Sequence, residues 1–336
     1  MNNIKIRELP VGKIDDNIAR LLITLIAFFI LATVTKGISF LNVGNMQSQG
    51  KQLTEYGLMA LGVGICMISG GIDLSTVYIA NLTGIIAGLM MKQLVPHGTN
   101  GMSGIVISVA TALLVGAICG AFNGLLISYL RIPAMLATLG SYQLFMGIAI
   151  VISRGSTVSG LPKAYTRLGT TLVAGIPLAF IIFLCTVIAI AFIMSKTKFG
   201  SRVYLVGTNE KTALFAGIKT KKIIVQTYML SGLISAIAGL ISLARINSAK
   251  ADFGSSYTMQ CILIVVLGGV NPNGGFGSIP GIAIAVVVLQ ILSSYLNMFP
   301  NISNYYRDLI WGVALIAVLI INTVINKRKT LKMSKS

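Results

Sequence analysis

Acidic side chains are scarce in this chain. Eight Asp and Glu stand among 336 residues, against 26 Lys and Arg. Charged residues of both signs reach only 10%, where a soluble domain carries roughly 25%. So few polar side chains cannot clothe a water-facing surface. Disorder is excluded too, because 55% of the residues are hydrophobic and the mean hydropathy is +0.88. One histidine, His97, rules out H-E-x-x-H, and one His with scattered Cys does not make a zinc site. The four cysteines, Cys66, Cys119, Cys185 and Cys261, sit in separate apolar runs without a C-x-x-C, which reads as buried inert thiols. Gly12-Lys13 is followed by Ile14, so there is no G-x-x-x-x-G-K-[ST] phosphate loop. No G-x-S-x-G occurs either. Catalytic residues, a metal and a cofactor are therefore not expected.

What the chain has is apolar runs. A helix needs about 20 apolar residues to cross the hydrocarbon. Ten such segments are read at 18–35, 54–70, 73–91, 104–128, 132–152, 172–195, 225–243, 257–270, 279–297 and 308–325. Strict apolar/polar alternation is lacking, which argues against strands. The expected fold is all-α and polytopic. The first run is longer than a signal-peptide core and has no A-x-A-like site after it, so it is read as a retained helix.

The cations set the orientation. Three stretches, the N-terminus 1–17 with Arg20, the link 196–224 and the tail 326–336, hold sixteen of the 26. Ten helices put all three on one side, and the positive-inside rule makes that side cytoplasmic, with both termini. The same distribution turns the net charge of +18 into a topology signal rather than a nucleic-acid surface. The 29-residue link is too short for a domain core, so residues 1–336 read as one membrane domain.

Embedded charge is sparse. Asp73 alone reads as membrane-embedded, while Glu55 and Asp308 fall at helix ends. An ion-coupled carrier usually keeps several ionisable groups at mid-membrane.

Three segments carry signals. Gly70-Gly71-Ile72-Asp73-Leu74-Ser75 breaks an apolar run. Asp73 or Ser75 could cap the next helix, or the break could line a transport path, as discontinuous helices do. In the link, Asn209 is a good N-cap for a short helix over 210–216, with Gly217 as its stop. That helix is either part of a basic surface loop or a docking element. The third, 267–281, contains Gly268, Gly269, Gly274 and Gly275 and reads as a compact turn. Asn81, Asn123, Gln143 and Gln290 could face a solute or bridge helices.

In order and spacing these segments resemble the permease subunits of ATP-binding-cassette sugar importers of the ribose/galactose/xylose type. Gly70–Ser75 is similar to that family's G-G-I-D-L-S, and Ser159-Gly160-Leu161-Pro162 to its S-G-L-P. Val266-Leu267-Gly268-Gly269 with Gly274-Gly275-Phe276-Gly277-Ser278 is similar to V-L-G-G…G-G-x-G-S. Ile132-Pro133-Ala134, Ala137–Gly140 and Thr197–Asn209 add partial matches. In the docking segment, Glu210-Lys211-Thr212-Ala213 departs from the family's P-E-A-A. The resemblance implies a multi-pass protein of the bacterial plasma membrane importing a monosaccharide or similar small polar solute. It implies a cytoplasmic ATP-binding-cassette ATPase, an extracytoplasmic solute-binding protein and a second permease copy or homologue as partners. Asn209, Glu210, Lys211, Ala213 and Gly217 would couple to the ATPase. Asp73, Ser75, Asn81, Asn123 and Gln143 would be candidates for the path. The competing expectation is an ion-coupled carrier of a small polar solute.

Overall fold

The computed structural model describes residues 16–95 and 101–299, with Leu309, Ile310, Gly312, Val313, Ile316 and Ile320. Most of the expected tenth segment, the N-terminal 1–15, His97, Asp308 and the basic tail lie outside the described residues.

The described chain is helical: α1 (Asp16–Lys36), α2 (Ile38–Leu41), α3 (Val43–Ile68), α4 (Thr76–Leu94), α5 (Met102–Ser128), α6 (Ala134–Ser153), α7 (Lys163–Thr170), α8 (Leu178–Lys196), α9 (Lys198–Thr208), α10 (Glu210–Phe215), α11 (Thr220–Ile246), α12 (Tyr257–Leu267) and α13 (Ile279–Asn297). Beside the connecting turns, four two-residue strands are the only strands among the described residues. β1 (Val158–Ser159) pairs antiparallel with β4 (Ser248–Ala249), and β2 (Leu172–Val173) turns directly back into β3 (Ile176–Pro177).

Seven helices are long and apolar enough to cross a membrane: α1, α4, α5, α6, α8, α11 and α13. Expected segments 54–70 and 257–270 do not qualify alone. α3 begins earlier, at Val43, and its first half carries Gln47, Gln49, Lys51, Gln52 and Glu55, while α12 is short. Expected segment 172–195 also shifts, because the hairpin at 172–177 precedes α8.

α3 and α11 form the centre. α3 packs on α8, α11, α12 and α13; α11 packs on α3, α4 and α5. In lipid, helix association rests on close packing rather than on apolar burial, so small residues belong at the contacts. Gly116, Gly120 and Gly124 repeat every four residues on α5 and lie on the backbone of α11. A Cβ on Gly116 would sit 2.6 Å from the Gly232 carbonyl oxygen, and one on Gly124 2.6 Å from Val225 Cα.

The thiols Cys66, Cys119 and Cys261 are buried, but Cys185 is exposed on α8. The reading of four buried thiols fails there because α8 presents one face outward from the bundle.

Candidate coupling surface and buried polar centre

After α8 the chain turns at Thr197 and lays α9 and α10 under one end of the bundle. α10 forms for local reasons. Asn209 Oδ1 accepts the Thr212 N–H at 3.0 Å, satisfying one open donor at the helix start. At the other end Gly217 adopts φ +78°, and Ile218 N–H and Gly217 N–H return to the Ala213 and Leu214 carbonyls, both at 3.0 Å. This double closure needs the left-handed residue that glycine supplies.

The five coupling candidates divide. Asn209 and Gly217 shape the helix. Glu210, whose side chain is 37% exposed, leans on the bundle: its Oε1 lies 3.1 Å from the exposed Arg131 Nη1 on the α5–α6 turn and accepts the Thr220 hydroxyl of α11 at 3.4 Å. Ala213 is buried against the core, so it contacts no outside partner in this conformation. Lys211 is exposed. The outward apolar surface comes from residues not singled out in the sequence: Phe215, 90% exposed, with Leu214 and Leu205. An aromatic inside a basic link was the available signal.

α9 ties this surface to both glycine breaks. α3 ends with Gly70 at φ +92°, and α12 with Gly269 at φ +86°, each closed like α10. Gly275 N–H donates to the Ile68 carbonyl at 2.9 Å, joining the two ends. Gly207 of α9 sits against the same carbonyl, and a Cβ there would also lie 2.6 Å from Gly275 N. A Cβ on Gly274 would lie 2.6 Å from Gly70 Cα. The Tyr204 hydroxyl donates to the Gly277 carbonyl at 2.9 Å. Burial pushes the Tyr204 pKa above its ordinary value. Gly71 and Gly268 serve the same breaks: Gly71 passes close to the Tyr228 ring and Gly268 to the backbone of α13.

Above the junction three path candidates meet. Asp73 Oδ1 accepts the Ser75 N–H at 3.0 Å and the Ser75 hydroxyl at 2.7 Å; Oδ2 accepts the Ser231 hydroxyl at 2.9 Å. Asn123 Nδ2 donates to Ser75 Oγ at 2.7 Å. All four side chains are buried, and Asn123 Oδ1 has no hydrogen-bond partner. The capping reading of Ser75 is corrected: its oxygen accepts from Asn123 Nδ2 rather than from an N–H of α4.

The other two candidates lie elsewhere. Asn81 donates to the Ala251 and Phe253 carbonyls at 3.0 and 2.8 Å. Gln143 is exposed on the outer face of α6, between Gly140 and Gly147, above which nothing lies within 4 Å. Gln290 bridges helices, receiving the Tyr56 hydroxyl.

The placement of Glu55 at a helix end is also corrected. It sits inside α3, fully buried, and Arg245 Nη2 of α11 donates to its Oε2 at 3.0 Å. The sequence hides this pair because its partners are 190 residues apart.

A bundle of apolar helices, with short amphipathic helices held under one end and a buried polar centre above them, is the architecture of a multi-pass membrane permease. Residues 51–319 match the family described as the permease component of branched-chain amino acid transport systems. The ribose import permease protein RbsC of Bacillus subtilis is 33% identical over 311 residues, covering 91% of this chain and 94% of that one. The autoinducer 2 import system permease protein LsrD of Escherichia coli K12 is 33% identical over 282 residues, 82% of this chain and 83% of that one. No solved structure matches the chain. The chain belongs to this family of importer permeases and is a multi-pass protein of the plasma membrane.

Proposed function

We propose that this chain is the membrane-spanning subunit of an ATP-binding-cassette importer that carries a monosaccharide or a closely similar polar solute inward. The observation that carries the reading is the α9–α10 unit, whose outer face offers Phe215 and Lys211 while its inner face is tied to the ends of α3, α5, α11 and α12. The names of the ribose and autoinducer 2 relatives support the solute class.

In this reading α3, α12 and segment 308–325 cross the membrane with the seven apolar helices, making ten, and both termini face the cytoplasm. Residues 196–224 form the coupling loop between the basic N-terminus 1–17 and the tail 326–336. A separate cytoplasmic ATPase docks on α10 and supplies the energy. A solute-binding protein delivers the solute at the opposite end. A second permease copy or homologue covers the outer face of α6, where Gln143 would otherwise hold an amide against lipid.

The mechanism is alternating access. ATPase closure pushes α10, and α9 passes that displacement to the glycine junction at Gly70, Gly207 and Gly274. The buried Asp73–Ser75–Asn123–Ser231 cluster then opens or closes with α4, α5 and α11. The ATPase must bind the two permease states with different affinity, or no displacement follows.

Uptake of radiolabelled ribose by cells expressing the full system tests this. Uptake should persist when ionophores collapse the ion gradients and stop when ATP is depleted. The reverse pattern would identify an ion-coupled carrier instead.

A further inference from the structure

At the end of the bundle opposite α10, a cavity of about 220 Å³ lies between α5, α8 and α11, with α7 across its mouth. Its walls include Leu113, Ile182, Ile237, Leu240 and Leu168, with no charged or amide side chain among them. The one hydroxyl in the lining, Tyr165, is already used: it donates to the Leu240 carbonyl at 2.7 Å. A cavity of this kind offers water no partners and accepts apolar ligands instead.

The roof explains which ligand. α7 buries Tyr165 and Gly169 against α11, where a Cβ on Gly169 would lie 2.5 Å from the Ala244 carbonyl. Its other face is exposed and carries Lys163 and Arg167. Neither cation enters any of the three ion pairs among the described residues. The adjoining β2–β3 hairpin leaves Leu172, Val173 and Ile176 exposed. Apolar residues beside a cationic helix face are the pattern of a segment lying in the membrane interface. Two exposed cations, outside every ion pair among the described residues, therefore stand beside the mouth of an apolar slot between α5, α8 and α11.

We propose that this slot binds one acyl chain of an anionic phospholipid, whose headgroup phosphate is held by Lys163 and Arg167. The lipid fills the slot and neutralises the roof together. A second copy of this chain fits less well. A two-fold contact here would set Lys163 and Arg167 against their own counterparts.

The full-length protein in nanodiscs of mixed phosphatidylglycerol and phosphatidylcholine tests the site. The probe is phosphatidylglycerol with a diazirine on the acyl chain, photolysed and mapped by peptide mass. Label should concentrate on the peptides holding Leu113, Ile182 and Ile237. It should fall at least threefold in Lys163→Ala/Arg167→Ala, whose exposed positions leave folding intact. Ile182→Trp, which fills the slot, should lower it likewise, while label on the outer face of α6 stays unchanged as the internal reference. Uniform label over all outward helices would overturn the proposal. So would equal labelling by the corresponding phosphatidylcholine probe, or crosslinks from these peptides to a second copy of the chain. Ribose uptake is read separately, so failure here leaves the transport reading standing.

Discussion

Gly207 has no room for a side chain. Its Cα faces the Ile68 carbonyl and Gly275 N, both backbone atoms that cannot rotate away. Adding one methyl must part α9 from the ends of α3 and α12, and such overpacking costs about 1–3 kcal/mol. Gly207→Ala should lower the melting temperature in detergent and reduce uptake of the transported solute several-fold. An unchanged melting profile would show that the junction yields freely. Glu55 makes the second argument at this scale. It is buried beside Arg245, so Glu55→Gln leaves a guanidinium with no counter-charge, a loss of about 3 kcal/mol. Chemical denaturation should show that loss, and Glu55→Gln with Arg245→Gln should recover part of it. A single variant as stable as the wild type would mean that solvent already reaches the pair.

At the scale of elements, what was legible followed from range in sequence. Asn209 and Gly217 bound α10 through contacts within a few residues, so their identities announce a short helix and its stop. The glycine pairs at 70–71 and 268–269 end α3 and α12 for the same reason. The role of each side chain did not follow in this way. Ala213 turns inward and Phe215 outward because of how α10 leans on the bundle, which a six-residue pattern does not specify. The every-fourth glycines of α5 were available as a packing signal, but their partners on α11 lie some hundred residues on. Two kinds of variant therefore separate form from contact in α10. Gly217→Pro forces the φ +78° residue to a negative angle and should break the stop. Phe215→Ala and Lys211→Glu leave the helix intact and remove only its outer contact. All three should lower uptake of the transported solute at least five-fold while the protein remains in the membrane fraction. Wild-type uptake in Phe215→Ala and Lys211→Glu would remove α10 from the coupling path.

For the whole molecule, composition and charge distribution announced a polytopic membrane chain before any contact was known. The central place of α3 was harder to read, because Gln47, Gln49, Lys51, Gln52 and Glu55 lower the hydropathy of its first half, and the partner of the buried Glu55 lies on α11. Embedded charge was undercounted for the same reason: Glu55 is neutralised by a distant helix. The resulting design has one end bearing α9 and α10, the other bearing α7 and the hairpin, and α11 running about 40 Å between them. Solute translocation requires the two ends to move in concert, and α11 touches elements of both.

The central claim is that a separate ATPase drives this bundle through α10. The most direct measurement is to purify the tagged chain from its native membrane in gentle detergent and identify the co-purifying proteins by mass. A cytoplasmic ATPase should accompany the wild type and be lost from Phe215→Ala and Gly217→Pro. A stable preparation of the permease without any ATPase, or one whose ATPase is retained in both variants, would contradict the account.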